Sequence, residues 1–354
     1  MRELYEAYAD GKLDFKMDIL EALEQRDQFA SFELQFYHVK FFICTFLPEL
    51  IWHSKAQDRE QVCEHYDRGN DFYEAFLGPI MVYTSGIVRN KEESLEEIQT
   101  NKLRIVCDKI QLKEGERHLD IGCGWGSLVN YAAEACGAQS TGVSIAKNQI
   151  EWARKIAEEK KQENRAKFLC LDYRDIPTGK YDKITCLEMA EHVGVRKFQS
   201  FLVQVREMLE DNGVFFLQIA GLRQAWQWED FIWGLFMDQY IFPGADASCP
   251  LNFVIFQLEL AGFEVQGVET IGVHYSKTIH HWYNNWIQPE TQKEMIDRYG
   301  RTAKIWNIFL AWSTIIARQG SSTCYQLVCH KNLNHFDRTK FFHGETALTS
   351  LKQY

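Results

Sequence analysis

The stretch LDIGCGWGSL, residues 119–128, decides the fold class, because an apolar run ending at Asp120 leads directly into three closely spaced glycines. Gly122, Gly124 and Gly126 allow a tight turn whose backbone approaches a ligand closely. A helix that begins behind such a turn presents free N–H groups to the same ligand. The stretch therefore predicts a strand, a ligand-binding turn and a helix in succession.

Strand and helix patterns alternate on the C-terminal side of this turn. The helices are predicted over 126–136, 147–163 and 195–210, and the strands over 117–122, 139–145, 166–172, 181–188, 213–220 and 323–330. Strands that alternate with helices predict a mostly parallel sheet with helices on both faces, the α/β class.

The chain ahead of the turn, residues 1–110, is predicted to be mainly helical. In the stretch 91–110, Leu95, Ile98, Leu103, Val106 and Ile110 recur at helical spacing and indicate one buried face. Two apolar helices, 226–242 and 305–317, are each compatible with ordinary core. Because both adjoin the predicted sheet, together they favour an apolar substrate pocket.

The amino-acid composition argues against several classes of function. The net charge is −10 and no basic block stands out, which argues against nucleic acid as a partner. The ten cysteines form no CxxC pair, and His280 and His281 lack the companions that a metal site needs, so no metal is expected. The N-terminus does not have the pattern of a signal peptide, and no apolar run reaches the length of a membrane span. Residues 32–52 are either a buried helix or an interfacial helix on a bilayer.

The spacing of the glycines bears on the cofactor. A dinucleotide turn has the pattern GxGxxG, whereas this one is GxGxG. DIGCGWG resembles the first motif of class I S-adenosylmethionine-dependent methyltransferases, which implies a Gly-rich backbone along the methionine part of the cofactor and Asp120 near its ammonium group.

The second and third predicted strands end in further candidate cofactor residues. Where an acid usually binds the ribose, the sequence has Ser144 and Gln149, which can still hydrogen-bond a diol. Asp172 is a candidate acceptor for the adenine amino group, with Tyr173 and Arg174 as flat neighbours. The alternative for Arg174 is a surface ion pair with Asp175.

Several motifs occur in the order typical of the cyclopropane-fatty-acid synthase family. They are HYDRGNDFYEAFLG (65–78), YTSG (83–86), LDIGCGWG, SIAKNQ (144–149), DYRD (172–175) and EMAEHVG (188–194). The resemblance runs from about residue 8 to 340 and is strongest to the fungal-type sphingolipid C9-methyltransferases, through residues 218–248 and 272–286. It implies the class I methyltransferase fold, Rossmann-like, with a seven-stranded sheet, an N-terminal helical region and a helical insertion.

The resemblance also implies site residues. Relatives hold a bicarbonate as proton acceptor with a Glu, a His, a Tyr and backbone amides. The matching positions are Glu191, Tyr275 and the amide of Ser85, while Gln218 replaces the His. Either bicarbonate binding persists in altered form or Glu191 acts more directly as base. Tyr83 and Thr84 are matched to the cofactor carboxylate. His192 follows Glu191, and a helix-start histidine satisfied by the backbone is preferred to a catalytic role.

We therefore expect residues 1–110 to cover the cofactor and lipid site, and 111–354 to form the methyltransferase domain with a lipid-pocket insertion around 222–320. The expected reaction is S-adenosylmethionine-dependent methylation of an alkene carbon, C9 of the sphingoid base of ceramide or glucosylceramide. The alternatives are a cyclopropane synthase acting on phospholipid acyl chains and, less favoured, a small-amine N-methyltransferase or a lipid-binding protein without activity.

The resemblance also bears on location. Fungal members carry membrane-spanning helices ahead of the catalytic part, which this sequence does not show. We expect association with the cytosolic side of a membrane, the endoplasmic reticulum, either peripherally through residues 32–52 or by way of another subunit. The sequence leaves the oligomeric state open.

Overall fold

The computed structural model describes residues 1–32, 35–41, 43–44, 69–245 and 247–335 of the chain. Most of the 32–52 segment, the His65 end of the first family motif and residue 246 lie outside these ranges. Within the described part, no helix is both long enough and apolar enough to cross a membrane.

Seven strands form one sheet in the order β3-β2-β1-β4-β5-β7-β6. Strands β1 to β5 run parallel, and β7 lies antiparallel between β5 and β6. The strands are β1 Arg117–Ile121, β2 Gln139–Ser144, β3 Ala166–Cys170, β4 Tyr181–Leu187, β5 Leu209–Leu222, β6 Phe263–Thr270 and β7 Ser322–Lys331. The six predicted strands are confirmed in place, and the seven-stranded class I fold is confirmed with them.

The strand that no pattern indicated is β6. It lies at the edge of the sheet, pairs only with β7 among the described strands, and its side chains alternate between covered and exposed. A half-exposed edge strand has no continuous apolar run, which is why FEVQGVET does not stand out in the sequence.

The α-helices of the described part surround this sheet. In chain order they are α1 Arg2–Ala9, α2 Ile19–Glu24, α3 Phe36–Phe41, α4 Asn70–Leu77, α5 Leu95–Lys109, α6 Ser127–Ala135, α7 Lys147–Glu159, α8 Val195–Met208, α9 Trp228–Tyr240, α10 Leu251–Leu260, α11 Gly272–Trp286, α12 Pro289–Tyr299 and α13 Arg301–Arg318. The predicted helices 126–136, 147–163 and 195–210 correspond to α6, α7 and α8.

Helix α5 illustrates how local sequence sets an element. Ser94 accepts a hydrogen bond from the backbone of Glu97, and the Glu97 side chain accepts one from the backbone of Ser94, so a capping box begins the helix. The five apolar residues predicted to share one face of this helix are all buried, which confirms the predicted face.

The N-terminal helices and the insertion after β5 share one aromatic core. Phe72 of α4 packs edge-on against Trp286 of α11 and Trp306 of α13, with ring centroids 5.0 and 4.8 Å away. Tyr5 of α1 contacts Phe236 of α9 at 5.0 Å. The two segments therefore fold together beside the carboxyl ends of the parallel strands, where α/β proteins place their sites.

Candidate active site

A pocket opens at the carboxyl ends of β1, β2 and β4, around the glycine turn. Gly122 and Gly124 line it, and Gly124 has φ +53° with nothing within 4 Å of the place that a Cβ would occupy. Gly126 has a different task, because a Cβ there would lie 2.6 Å from both Ala153 and Phe168. Gly124 leaves backbone exposed to a ligand, a Cβ at Gly122 would lie 2.4 Å from Met189, and Gly126 lets α7 and β3 pack behind the turn.

Asp120 lies next to the last residue of β1, lines this pocket and is almost completely buried. Thr185 of β4 donates a hydrogen bond of 2.6 Å to its Oδ1. Burial raises the pKa of Asp120 to about 6, against the opposing influence of Thr185 and of the Lys102 ammonium group. The Asp120 carboxyl group is therefore mostly ionised only at a pH above about 6.

Lys102 is a second buried charge in the pocket that the sequence reasoning missed. Its Nζ donates to Thr84 Oγ1 at 2.8 Å, beside Tyr83, which lines the same pocket. Burial lowers the pKa of Lys102 to about 8, although Glu188 and Asp120 favour its charged form. A signal was available, because Lys102 lies, with Gln99, on the buried and mostly apolar face of α5.

The far side of the pocket carries the candidates for the nucleoside part of a cofactor. Ser144 Oγ donates to Gln149 Oε1 at 2.9 Å, and both side chains line the pocket. Arg174 forms a bidentate ion pair with Asp172, with distances of 2.7 and 2.6 Å to the two carboxylate oxygens. This pair with Asp172 is partly buried, and Tyr173 lines the pocket beside it, while the surface ion pair of Arg174 with Asp175 stays an alternative.

The pocket suits an S-adenosylmethionine molecule. A buried carboxylate and a buried ammonium group lie at one end, matching the charges of an amino acid, and bare glycine backbone lines the middle. A hydroxyl and amide pair and an Arg–Asp pair lie at the other end, where they suit a ribose and a base.

A second, largely apolar pocket meets the first. Its walls come from the insertion helices α9, α11 and α13, and include Trp233, Met237, Phe242, Ile279, Trp282 and Phe309. Tyr83, Glu188 and His192 line both pockets and mark the place where they join. The predicted apolar helices thus enclose a cavity that leads to the cofactor pocket. Both predicted segments are present, as α9 and α13.

Glu188 is the hub of a hydrogen-bond cluster at this junction. Its Oε1 accepts from the Ser85 backbone at 3.0 Å and from Gln218 Nε2 at 2.6 Å. Its Oε2 accepts from the Tyr275 hydroxyl at 2.7 Å. Burial and the neighbouring Glu188 carboxylate raise the pKa of Tyr275 well above its ordinary value, so the phenol remains a donor.

Glu191 was matched to the Glu that holds a bicarbonate in relatives, and that match stays a prediction. The carboxylate that accepts from Ser85, Gln218 and Tyr275 is Glu188, one turn earlier in the chain. Glu191 Oε1 instead accepts from the backbone N–H of Ala220 at 2.6 Å, and its side chain lines the apolar pocket. His192 lies in the short 3-10 helix Ala190–His192 and lines both pockets.

The register of the sheet explains how Gln218 comes to this cluster. Gln218 of β5 pairs with Gln326 of β7, and Gln326 Nε2 donates to Gln218 Oε1 at 2.8 Å. Lys109 Nζ in turn donates to Gln326 Oε1 at 2.7 Å. A row of paired polar side chains therefore runs from Lys109 through Gln326 and Gln218 to Glu188. Within the described residues, no group of three or more His, Cys, Asp and Glu side chains is placed to hold a metal ion.

Comparison with known proteins places the chain in a family. Residues 53–327 match the model of the mycolic acid cyclopropane synthetase family. The chain belongs to this family. It is 55% identical over 360 residues to the sphingolipid C9-methyltransferase of Komagataella phaffii, covering 98% of this chain and 73% of that protein. It is 54% identical to sphingolipid C9-methyltransferase A of Emericella nidulans, covering 100% of this chain and 69% of that protein.

A solved structure agrees on the fold. The cyclopropane synthase MmaA2 of Mycobacterium tuberculosis superposes with a TM-score of 0.73 at 23% identity, over 77% of this chain and 98% of that one. The predicted family, the class I fold and the predicted enzyme class, an S-adenosylmethionine-dependent methyltransferase, are confirmed.

Proposed function

We propose that this chain transfers the methyl group of S-adenosylmethionine to an alkene carbon, C9, of the sphingoid base of a ceramide or glucosylceramide. One observation carries the proposal. The cofactor pocket, which has charged residues and glycines in its lining, joins the apolar pocket at Tyr83, Glu188 and His192. The similarity to two sphingolipid C9-methyltransferases over nearly the whole chain supports the choice of lipid.

The cofactor supplies an electrophilic methyl group when bound. We propose that Asp120 accepts from its ammonium group, and that Tyr83, Thr84 and Lys102 receive its carboxylate. Gly122 and Gly124 flank the methionine chain, while Gly126 supports the turn. Ser144 and Gln149 bind the ribose, and the pair of Asp172 and Arg174, with Tyr173, borders the base.

The apolar pocket serves the reaction by excluding water. An unactivated alkene is a weak nucleophile, so it must be held close to the donor and aligned with it. The cation that it becomes must be kept away from water until it loses a proton. Trp233, Trp282 and Phe309 provide a wall for a lipid chain, and the carboxylates of Glu188 and Glu191 face the pocket in which positive charge develops.

We further propose that the protein works at a membrane surface, on the cytosolic side of the endoplasmic reticulum. A lipid substrate must be taken from a bilayer, and Trp226 and Trp228, at the start of α9, are 55% and 53% exposed. Exposed tryptophans of this kind suit the interface between head groups and acyl chains. The N-terminal region 1–110 would then cover both pockets beside the domain 111–354 and its insertion at 222–320.

The test is a lipid profile of cells that make a dienic sphingolipid, with and without this chain. Mass spectrometry is expected to show a sphingoid base heavier by one methylene unit, with a methyl-branched double bond. A product on phospholipid acyl chains would support a cyclopropane synthase instead, and turnover of soluble amines alone would support an N-methyltransferase.

A further inference from the structure

The family resemblance implies a bicarbonate ion as proton acceptor, and the arrangement around Tyr275 does not fit one. The expected donors are the Ser85 amide, the Tyr275 hydroxyl and the side chain at position 218, and all three donate to the carboxylate of Glu188. A planar carboxylate of the chain thus fills the place that a planar carbonate-type anion would need.

The backbone of Glu188 is held in an uncommon conformation that delivers its side chain to this place. Its φ is +54°, in the left-handed region that residues other than glycine rarely adopt. The Glu188 N–H donates to the Gln218 carbonyl at 2.7 Å, directly after the register pair of Leu187 and Gln218. Such strain persists where the surrounding structure enforces it, and it is concentrated at functional sites.

The direction of the Gln218 amide follows from its neighbours. Gln326 donates to its oxygen, because the Gln326 oxygen is itself taken by the Lys109 ammonium group. Gln218 therefore presents its NH₂ group to the carboxylate of Glu188. Toward Glu188 the Gln218 side chain acts only as a donor, and it does not transfer a proton at neutral pH, which suits a carboxylate that does the proton transfer itself.

We propose that Glu188 is the general base of the reaction and that its carboxylate replaces the external anion. The proposal rests on the proposed function. After methyl transfer the alkene has become a carbocation. The C–H electron pair of a neighbouring carbon then forms the new C=C bond, and the proton goes to an oxygen of Glu188. Glu188 becomes a neutral carboxylic acid and returns its proton to water when the product leaves.

The position of Glu188 suits this step. It is one of the residues that line both the cofactor pocket and the apolar pocket, so its carboxylate lies where the methyl donor and the lipid chain meet. A carbocation is a very strong acid, so a nearby carboxylate is sufficient as its base, and the negative charge of that carboxylate also stabilises the cation.

An anion-binding experiment tests the replacement without substrate. Glu188→Gly removes the carboxylate, suits the positive φ and leaves three donors free to bind an anion. We expect the thermal midpoint of this variant to rise by several degrees in sodium formate or bicarbonate, relative to sodium chloride at equal ionic strength, and that of the wild type to stay unchanged. Adding Tyr275→Phe should reduce the shift, because one donor is lost.

Turnover gives the second readout, in buffer freed of carbon dioxide. The wild type should be unaffected by added bicarbonate, while Glu188→Gln should lose at least about a hundredfold in kcat and still bind S-adenosylhomocysteine. Formate should restore part of the activity of Glu188→Gly. Glu191→Gly is the matched comparison for the rescue, the same change one turn away in the same pocket, and formate should not restore its activity.

The outcomes separate the two proposals. A wild type that binds formate as Glu188→Gly does, or a Glu188→Gln enzyme with activity close to that of the wild type, would overturn the role of Glu188. A folded Glu188→Gly that binds no anion would also overturn it, and should that variant not fold, Glu188→Gln gives the decision. A wild type that methylates no sphingolipid refutes the proposed substrate, while the anion-binding comparison still decides whether Glu188 fills the anion site.

Discussion

Gln326 of β7 lies opposite Gln218 of β5, and its amide donates a hydrogen bond of 2.8 Å to the Gln218 side-chain oxygen. Both side chains are buried. Lys109 donates to Gln326 and Gln218 donates to Glu188, so the two glutamines connect Lys109 with Glu188 through a chain of hydrogen bonds. A polar row through an apolar sheet is costly unless every group is paired. Its presence indicates that the orientation of Gln218 matters to the site.

Gln326→Leu should therefore lower kcat about tenfold by releasing the Gln218 amide to rotate, with little effect on KM for the cofactor. Calorimetry distinguishes a loss of Gln218 orientation from a loss of folded structure. If only the orientation is lost, the affinity for S-adenosylhomocysteine should stay within about twofold of wild type. Gln326→Glu, which keeps the size and offers no donor to Gln218, should be impaired as well. An unimpaired Gln326→Leu enzyme would show that the row has no part in catalysis.

The two buried charges of the cofactor pocket predict the pH dependence of cofactor binding. The pKa of Asp120 is raised to about 6 and that of Lys102 is lowered to about 8, so both are charged between those values. The affinity for S-adenosylhomocysteine should rise as the pH rises through about 6 and fall as it rises through about 8. Asp120→Asn should flatten the acid limb and Lys102→Met the alkaline limb.

The pH dependence of folding stability that Asp120 and Lys102 cause is opposite in sign to the pH dependence of cofactor affinity. The pKa of Asp120 is raised by folding, so its contribution is present at low pH and is lost as the pH rises through about 6. The pKa of Lys102 is lowered, so stability returns as the pH rises above about 8. Lys155→Met, at an exposed site, is the control and should change neither curve. A flat binding profile in the wild type would contradict the assignment of both groups.

The glycine turn offers a pair of substitutions with different effects. Gly126→Ala places a Cβ 2.6 Å from Ala153 and Phe168 at φ +79°, so it should lower the free energy of unfolding by about 2–4 kcal/mol. Gly124→Ala meets no neighbour within 4 Å, so it should cost only about 1 kcal/mol and mainly weaken cofactor binding. Chemical denaturation and calorimetry measure the two effects, and the same loss of stability in both variants would refute the distinction.

Glu191→Gln should abolish turnover while cofactor binding survives. Its carboxylate lines the apolar pocket and accepts from the Ala220 amide, so the change removes negative charge beside the developing cation and leaves the cofactor pocket intact. Single-turnover kinetics with a dienic glucosylceramide, together with calorimetry, provide the measurement. Full activity in this variant would refute a role for Glu191 in the reaction.

Much of the fold was predictable from the sequence because the parallel strands are buried on both faces and bounded by helices of clear period. The edge strand β6 was not, since half of its side chains face solvent. In the site, the motif match led to Glu191, because the pattern EHVG marks that residue. Glu188 carried another signal, as the residue that directly follows the buried strand β4 at the carboxyl edge of the sheet.

The register of the sheet determines contacts of the site that the sequence motifs do not reveal. The pairing of Leu187 with Gln218, and of Gln218 with Gln326, is a property of three strands brought together from distant parts of the chain. Lys102 was missed for a simpler reason. A helix face with apolar residues at regular spacing is interpreted as packing against the core, and a lysine on that face is then assumed to reach solvent. Its burial beside Asp120 becomes visible only when α5 is packed against the sheet.

The most direct test of alkene methylation with proton loss from the lipid chain uses S-adenosylmethionine that carries a trideuterated methyl group, with a dienic glucosylceramide as acceptor. If the proton leaves a carbon of the lipid chain, the product keeps all three deuterium atoms in a branch methyl group, and mass spectrometry will show this. A product that retains only two deuterium atoms would mean that the new methyl group itself lost the hydrogen in closing a cyclopropane ring, and would contradict the proposed reaction.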